Sequence, residues 1–304
     1  MPFWLKILGC GSATPTVYSK PTAQYLHFAD RHFLIDCGEG TQVELRRHQL
    51  KWSRIDHIFI SHLHGDHCYG LPGLISSFHL LERQRELYVY GPPGLERILK
   101  LQFRLSNTWL KFPLVFHELN FQNPETILRH QRFWVDSIPL NHSIPACGFV
   151  FREAPKERRL LPERLRGHKL PFYALQALKR GENYQDESGK IWHFADYTEE
   201  GPNPLSYAFC SDTAFNPQMA NYLKDIDLLY HESTFLESER HLAEKTGHST
   251  ALDAAKIAQM AQVKRLLLGH YSVRYADKTQ FLTEAKTLFE AVETAHDGLD
   301  VFVE

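Results

Sequence analysis

Ser61-His62-Leu63-His64-Gly65-Asp66-His67 is the stretch from which the rest of this chain is best read. It follows residues 55–60 (IDHIFI), an apolar run that reads as a buried strand. Imidazoles at i and i+2 of an extended segment project to the same side, which groups His62 with His64. Gly65 then lets the backbone turn, so that Asp66 and His67 face a second position nearby. Three imidazoles and a carboxylate suit zinc or a similar borderline divalent ion. A single histidine is usually an ordinary surface or core residue, and the chain has 18 of them. Four ligand-type residues in six positions at the end of a strand point instead to a metal site.

The bulk properties allow such a site but do not specify it. With 304 residues, 43% apolar and 12% aromatic, the chain can bury one large core or two modest ones, which argues against global disorder. No stretch approaches the ~20 apolar residues of a membrane span. The N-terminal MPFWLKILGCG reads as a first strand, its apolar run being too short for a secretory signal. Five scattered cysteines with no C-x-x-C pair argue for a reducing cytoplasm rather than a disulfide framework. The net charge of −2 does not mark a nucleic-acid binder. Residues 152–181, however, carry nine Lys/Arg against three Glu, an asymmetry that fits a polyanionic partner or a solvated charged face.

Strands and helices alternate along most of the chain. Strands are expected at 3–9, 24–29, 32–37, 55–60, 87–90, 114–119, 132–138, 148–151, 207–210, 228–230, 265–268 and 300–303. Helices are expected at 41–50, 69–82, 95–105, 251–262 and 281–295. This is the pattern of a layered α/β protein. Residues 152–205 break the alternation, being charged and rich in Pro and Gly, and read as an insertion projecting from the domain.

The spacing H-x-H-x-D-H resembles the signature of the metallo-β-lactamase superfamily. The resemblance implies one α/β domain over 1–304, a metallo-β-lactamase-like αββα four-layer sandwich with the 152–205 arm inserted, and two divalent metal ions, taken as zinc, in one hydrolytic site. Two ions need further ligands, and each candidate sits where a strand runs out into a loop: His142 in Asn-His-Ser, Asp212 after 207–210, and His270 after 265–268. The expected first set is His62, His64, His142 and Asp212. The second is Asp66, His67, His270 and the same Asp212, as a bridging carboxylate. Asp66 would also orient and help deprotonate the attacking water. Asp36 is expected to anchor loops, or groups that stand behind the ligands, rather than bind metal.

Further blocks narrow the resemblance. Gly9-Cys-Gly-Ser-Ala-Thr-Pro-Thr16, Asp36-Cys-Gly-Glu-Gly-Thr-Gln42, His231-Glu-Ser-Thr234, His248-Ser-Thr250 and Gly269-His-Tyr-Ser-Val-Arg-Tyr275 together resemble the ribonuclease Z family. What this implies is an endoribonuclease that cuts precursor tRNA after the discriminator nucleotide, leaving a tRNA 3′-hydroxyl and a trailer 5′-phosphate, and a cytoplasmic homodimer. His248 would be the proton donor to the leaving oxygen and Glu232 the residue that orients it. His248 also precedes a capping-box-like Thr250-x-x-Asp253 at the start of a helix. Arg274 is a candidate phosphate contact. Residues 152–205 would correspond to an arm gripping tRNA, with Lys179 and Arg180 among its contacts. Within it, residues 169–181 (KLPFYALQALKRG), where bacterial members often carry a Gly-Pro-containing element, have no Gly-Pro, and residues 15–22 read PTVYSKPT where some members have P-x-K-x-R-N. Two other readings share parts of the pattern. A phosphodiesterase or esterase for a small substrate would need the metal site but no basic arm. A non-catalytic RNA-binding protein would show an eroded ligand set, which this chain does not.

Overall fold

Phe33 and Ile35 leave the strand Arg31–Ile35 on one side and Leu34 on the other, and the two sides enter different apolar clusters. The next strand, Ile55–Phe59, repeats the split, Phe59 joining Phe33 and Ile58 joining Leu34. This period of two gives each sheet an inner and an outer face. The computed structural model describes residues 3–304, so Met1 and Pro2 of the N-terminal stretch lie outside the described residues.

Among the described residues there are two seven-stranded sheets. The first runs Asp300–Phe302, Trp4–Gly9, Ala23–Phe28, Arg31–Ile35, Ile55–Phe59, Leu87–Gly91, Leu114–Glu118 and is parallel from Arg31–Ile35 onward. The second runs Val292–Thr294, Arg265–Gly269, Leu228–Glu232, Ser206–Cys210, Ala146–Glu153, Phe133–Leu140, Glu125–His130. Its first four strands are parallel, and Ala146–Glu153 joins them antiparallel.

The inner faces meet through aromatic rings. Phe28, Phe33 and Phe59 face Phe133, Phe149 and Phe151 with centroids 5.1–5.8 Å apart, the spacing that favours edge-to-face contact. On the outer side of the first sheet, Leu45, Leu71, Leu74, Leu95 and Leu99 of helices Thr41–Arg47, Leu71–Leu80 and Leu95–Leu105 pack with Leu34, Ile58 and Val89. Helices Ala251–Ala261 and Thr279–Ala285 cover the second sheet, whose buried run Leu266-Leu267-Leu268 is apolar on both faces, as parallel strands covered on both sides require. The result is the expected αββα sandwich.

Two elements differ from expectation. The helix expected over 281–295 ends at Ala285, and Val292–Thr294 is a strand. It pairs in parallel with Leu266–Leu268, so a free sheet edge overrides local helical periodicity. The helix expected over 69–82 spans only Leu71–Leu80, and a separate turn of helix, Gly65–Cys68, precedes it and carries Asp66 and His67. The edge strand Glu125–His130 was not anticipated, its pattern being polar and half-exposed.

Residues 153–204 form a separate compact unit. Within it, Arg159–Leu160 pairs with Thr198–Glu199 and Tyr184–Gln185 with Ile191–Trp192, around buried Ala174 and Leu178 of the helix Phe172–Lys179.

Candidate metal centre

The parallel strands Arg31–Ile35, Ser206–Cys210, Leu228–Glu232 and Arg265–Gly269 are followed by residues that carry chemistry, as carboxyl ends of such strands commonly are. Three of these, Asp36 (φ 55°), Asp212 (φ 56°) and His270 (φ 58°), adopt left-handed backbone. That region is sparsely used by non-glycine residues, with Asp and His enriched in it. Each bend turns a side chain back over the end of the sheets.

His62, His64, His142 and Asp212 form one group of donor atoms. His64 Nδ1 lies 3.0 Å from His62 Nε2 and 3.2 Å from His142 Nε2. Asp212 Oδ2 stands 3.6 and 3.8 Å from the Nε2 atoms of His62 and His142. A second group joins Asp66, His67 and His270. His67 Nε2 is 3.3 Å from His270 Nε2 and 3.4 Å from Asp66 Oδ2. The other oxygen of Asp212, Oδ1, lies 3.0 Å from His67 Nε2 and 3.2 Å from His270 Nε2. Each oxygen of Asp212 therefore serves one group. Most of these separations approach the edge of a tetrahedron built on bonds of about 2.0–2.1 Å, about 3.3 Å, so the donors fit divalent ions.

The outward ring nitrogens are held from behind. His67 Nδ1 donates to Asp36 Oδ2 at 2.7 Å, and His62 Nδ1 reaches Ser61 Oγ at 3.0 Å, which itself donates to Asp36 at 2.8 Å. His142 Nδ1 donates to the Gly247 carbonyl at 2.9 Å. His270 Nδ1 meets Thr234 Oγ1 at 3.0 Å, and Thr234 donates to Glu232 Oε2 at 2.6 Å. These contacts fix the tautomers that leave His62, His67, His142 and His270 with a bare Nε2 toward the site. Ser61 and Thr234 escaped the sequence reading. The available signal was their place one residue before His62 and two after Glu232, at strand ends.

Glu232 is fully buried and accepts from Thr213 N, from the Thr234 hydroxyl and, at 2.8 Å, from His248 Nδ1. Burial opposes a charge on His248, yet the Glu232 carboxylate pushes its pKa up to about 9. Burial, with the neighbouring His67, drives His62 down to about 2, which favours the neutral, coordinating form. Burial also works against the charge on Asp212, but His270, His67 and His62 hold it well below the usual carboxylate range. Among the described residues no Lys or Arg pairs with Asp36, Asp66, Asp212 or Glu232. A buried anionic network of this kind is one that cations match.

The remaining sequence candidates lie elsewhere. Arg274 is exposed on the loop after His270, with only its backbone N–H engaged among the described residues, to Ser272 Oγ at 3.4 Å. Lys179 pairs with Glu157 at 3.0 Å and Arg180 with Glu182 at 2.7 Å inside the 153–204 unit. The capping box expected at Thr250 and Asp253 is present.

Residues 3–127 match the family model described as Anti-Pycsar protein Apyc1. Ribonuclease Z of Bacteroides fragilis is 42% identical over 297 residues, 98% of each chain. The crystal structure of the short form of human tRNase Z is 27% identical, covering 99% of both chains at a TM-score of 0.72. A metallo-beta-lactamase fold protein of Bacillus subtilis, 18% identical, covers 99% of this chain and 100% of its own at a TM-score of 0.70, which is a likeness of fold.

Proposed function

The chain belongs to the ribonuclease Z family and is a hydrolase of tRNA 3′ processing, and we propose that it cuts precursor tRNA after the discriminator nucleotide at a centre where Asp212 and the imidazole groups on its two sides would hold two divalent ions. The observation that carries this reading is the division of the Asp212 carboxylate between two imidazole groups. When bound, the two ions would supply a water of lowered pKa and stabilise charge on the phosphate. His62, His64 and His142 would hold one, and Asp66, His67 and His270 the other.

The chain's own groups supply the proton steps. Asp66 Oδ2 accepts the Ala13 N–H at 2.8 Å, while Oδ1 has no partner among the described residues and is free to orient the attacking water. His248 presents Nε2 to the cleft because Nδ1 is committed to Glu232. The carboxylate stabilises the imidazolium, which then donates its Nε2 proton to the departing 3′-oxygen. The products are a tRNA 3′-hydroxyl and a trailer 5′-phosphate.

Zinc suits three imidazoles and a carboxylate at the first position and two imidazoles and two carboxylates at the second. A homodimer is supported by exposed Val43, Leu80, Leu81, Ile98 and Leu105 on the outer helices. A reducing, cytoplasmic setting is supported by five free cysteines. No helix among the described residues is long and apolar enough to cross a membrane. The direct test is to incubate the zinc-loaded protein with a 3′-extended precursor tRNA and map both new ends. One cut after the discriminator is expected, and an intact precursor overturns the reading.

A further inference from the structure

The metal centre opens into a cleft of about 580 Å³. Its lining, among the described residues, contains no Lys or Arg, although the substrate is a polyanion. Phosphate charge there must be met by the metal site, and the cleft needs another means of holding a nucleotide. Tyr69 is the one aromatic side chain in the lining apart from the imidazoles, and it is 73% exposed.

The backbone that carries Tyr69 is fixed on both sides. The Tyr69 N–H donates to Gly65 O at 2.9 Å and the Gly70 N–H to Cys37 O at 2.8 Å. A Cβ at Gly70 would come within 2.1 Å of Gly38 O, so the chain lies flush against the Cys37-Gly38 turn. The ring rests against Gly65, where a Cβ would stand 2.4, 2.7 and 2.8 Å from Tyr69 Cε2, Cδ2 and Cζ. The phenol hydroxyl has no partner among the described residues, so no hydrogen bond explains why an exposed ring is held here. A ring supported from below and open above is a surface for stacking an unpaired base.

We propose that Tyr69 is the stacking platform for the first nucleotide of the 3′ trailer, an assignment that rests on the endonuclease reading above. Direction follows from the proton donor. The leaving 3′-oxygen belongs to the tRNA and lies toward His248, whose chain neighbour Gly247 lies against His142 and Ser143 of the same lining. Gly65, with the Tyr69 ring against it, and Glu39, whose neighbour Gly38 lies against the Asp66 backbone, line the cleft on the side of Asp66, and that side remains for the nucleotide that keeps the phosphate. Stacking accepts any base, so the contact selects an unpaired nucleotide rather than a sequence.

The test compares a precursor tRNA with its counterpart abasic at the first trailer position, using wild type, Tyr69→Ala and Tyr69→Phe, with zinc per chain measured for each. Wild type should lose roughly 5- to 100-fold in kcat/KM on the abasic precursor. Tyr69→Ala should show that loss on the normal precursor and none further on the abasic one, and Tyr69→Phe should behave as wild type. No penalty for the abasic precursor with wild type overturns the proposal without recourse to any variant. An equal factor lost by Tyr69→Ala on both substrates, or coupling to an abasic discriminator instead, also overturns it. In all three cases wild type still cuts the normal precursor and the endonuclease reading stands; failure to cut it defeats both.

Discussion

At the strand ends, Asp36, Asp212 and Glu232 are buried, each facing an imidazole at 2.7–3.0 Å. In the unit 153–204, Lys179, Arg180 and Arg159 stand 32–63% exposed beside Glu157, Glu182 and Glu199. The first arrangement removes charged groups from water and tolerates no orphan, because an unpaired buried charge is strongly destabilising. The second consists of surface pairs worth about 0–1 kcal/mol each, which water and salt replace readily. The local excess of Lys/Arg read from residues 152–181 also changes meaning here. Over residues 153–204 there are nine Lys/Arg and nine Asp/Glu, and the acidic residues after 181 supply partners to the basic ones before it. Among the described residues, the side chains of Arg164, Arg166 and Lys169 make neither an ion pair nor a hydrogen bond, unlike those of Arg159, Lys179 and Arg180.

The contrast predicts a hierarchy of effects. Asp212→Ala should have the largest: zinc per chain should fall and tRNA cleavage should drop below the assay floor, since both ion positions lose a donor. Full metal content in that variant would break the bridging scheme. His248→Ala should keep its metal while kcat falls about 10²- to 10⁴-fold, the usual worth of a general acid. Parallel loss of zinc would place His248 among the ligands instead. Asp36→Asn, which touches only what stands behind His67 and Ser61, should weaken zinc affinity about 10- to 100-fold in a competitive chelator titration.

In the inserted unit the effects should be smaller and salt-dependent. Reversing Arg164, Arg166 and Lys169 to Glu should raise KM for precursor tRNA by about tenfold at low salt and flatten its salt dependence, since phosphate contacts act through counterion release. Arg180→Ala alone should change KM less than about twofold, the scale of one exposed pair. A larger effect for Arg180 than for the triple variant would reverse the comparison and return Arg180 to the role suggested by sequence.

The legibility of the chain follows the same division. His62, His64, Asp66 and His67 sit within six positions, and local geometry relates them, so their grouping was readable. His142, Asp212 and His270 were found at strand ends and are brought within ligand distance of the motif, but their separations are properties of two packed sheets. Ser61, Thr234 and the Gly247 carbonyl were missed because hydroxyls and backbone oxygens carry no motif of their own. The strand Val292–Thr294 was read as helix because its pairing partner lies some 26 residues earlier.

By itself, the sequence determined the ligand types, the alternating pattern that makes a layered α/β protein, and the resemblance that selects tRNA. These depend on side-chain chemistry and on periodicities of a few residues. Tertiary structure alone decided that Asp212 offers one oxygen to each imidazole group, that Glu232 joins His248 to His270 through Thr234, that the basic segment is answered by acidic neighbours, and that Tyr69 lies bare at the cleft. Those are distances between residues far apart in the chain, and they arise only when the two sheets bury their aromatic faces against each other.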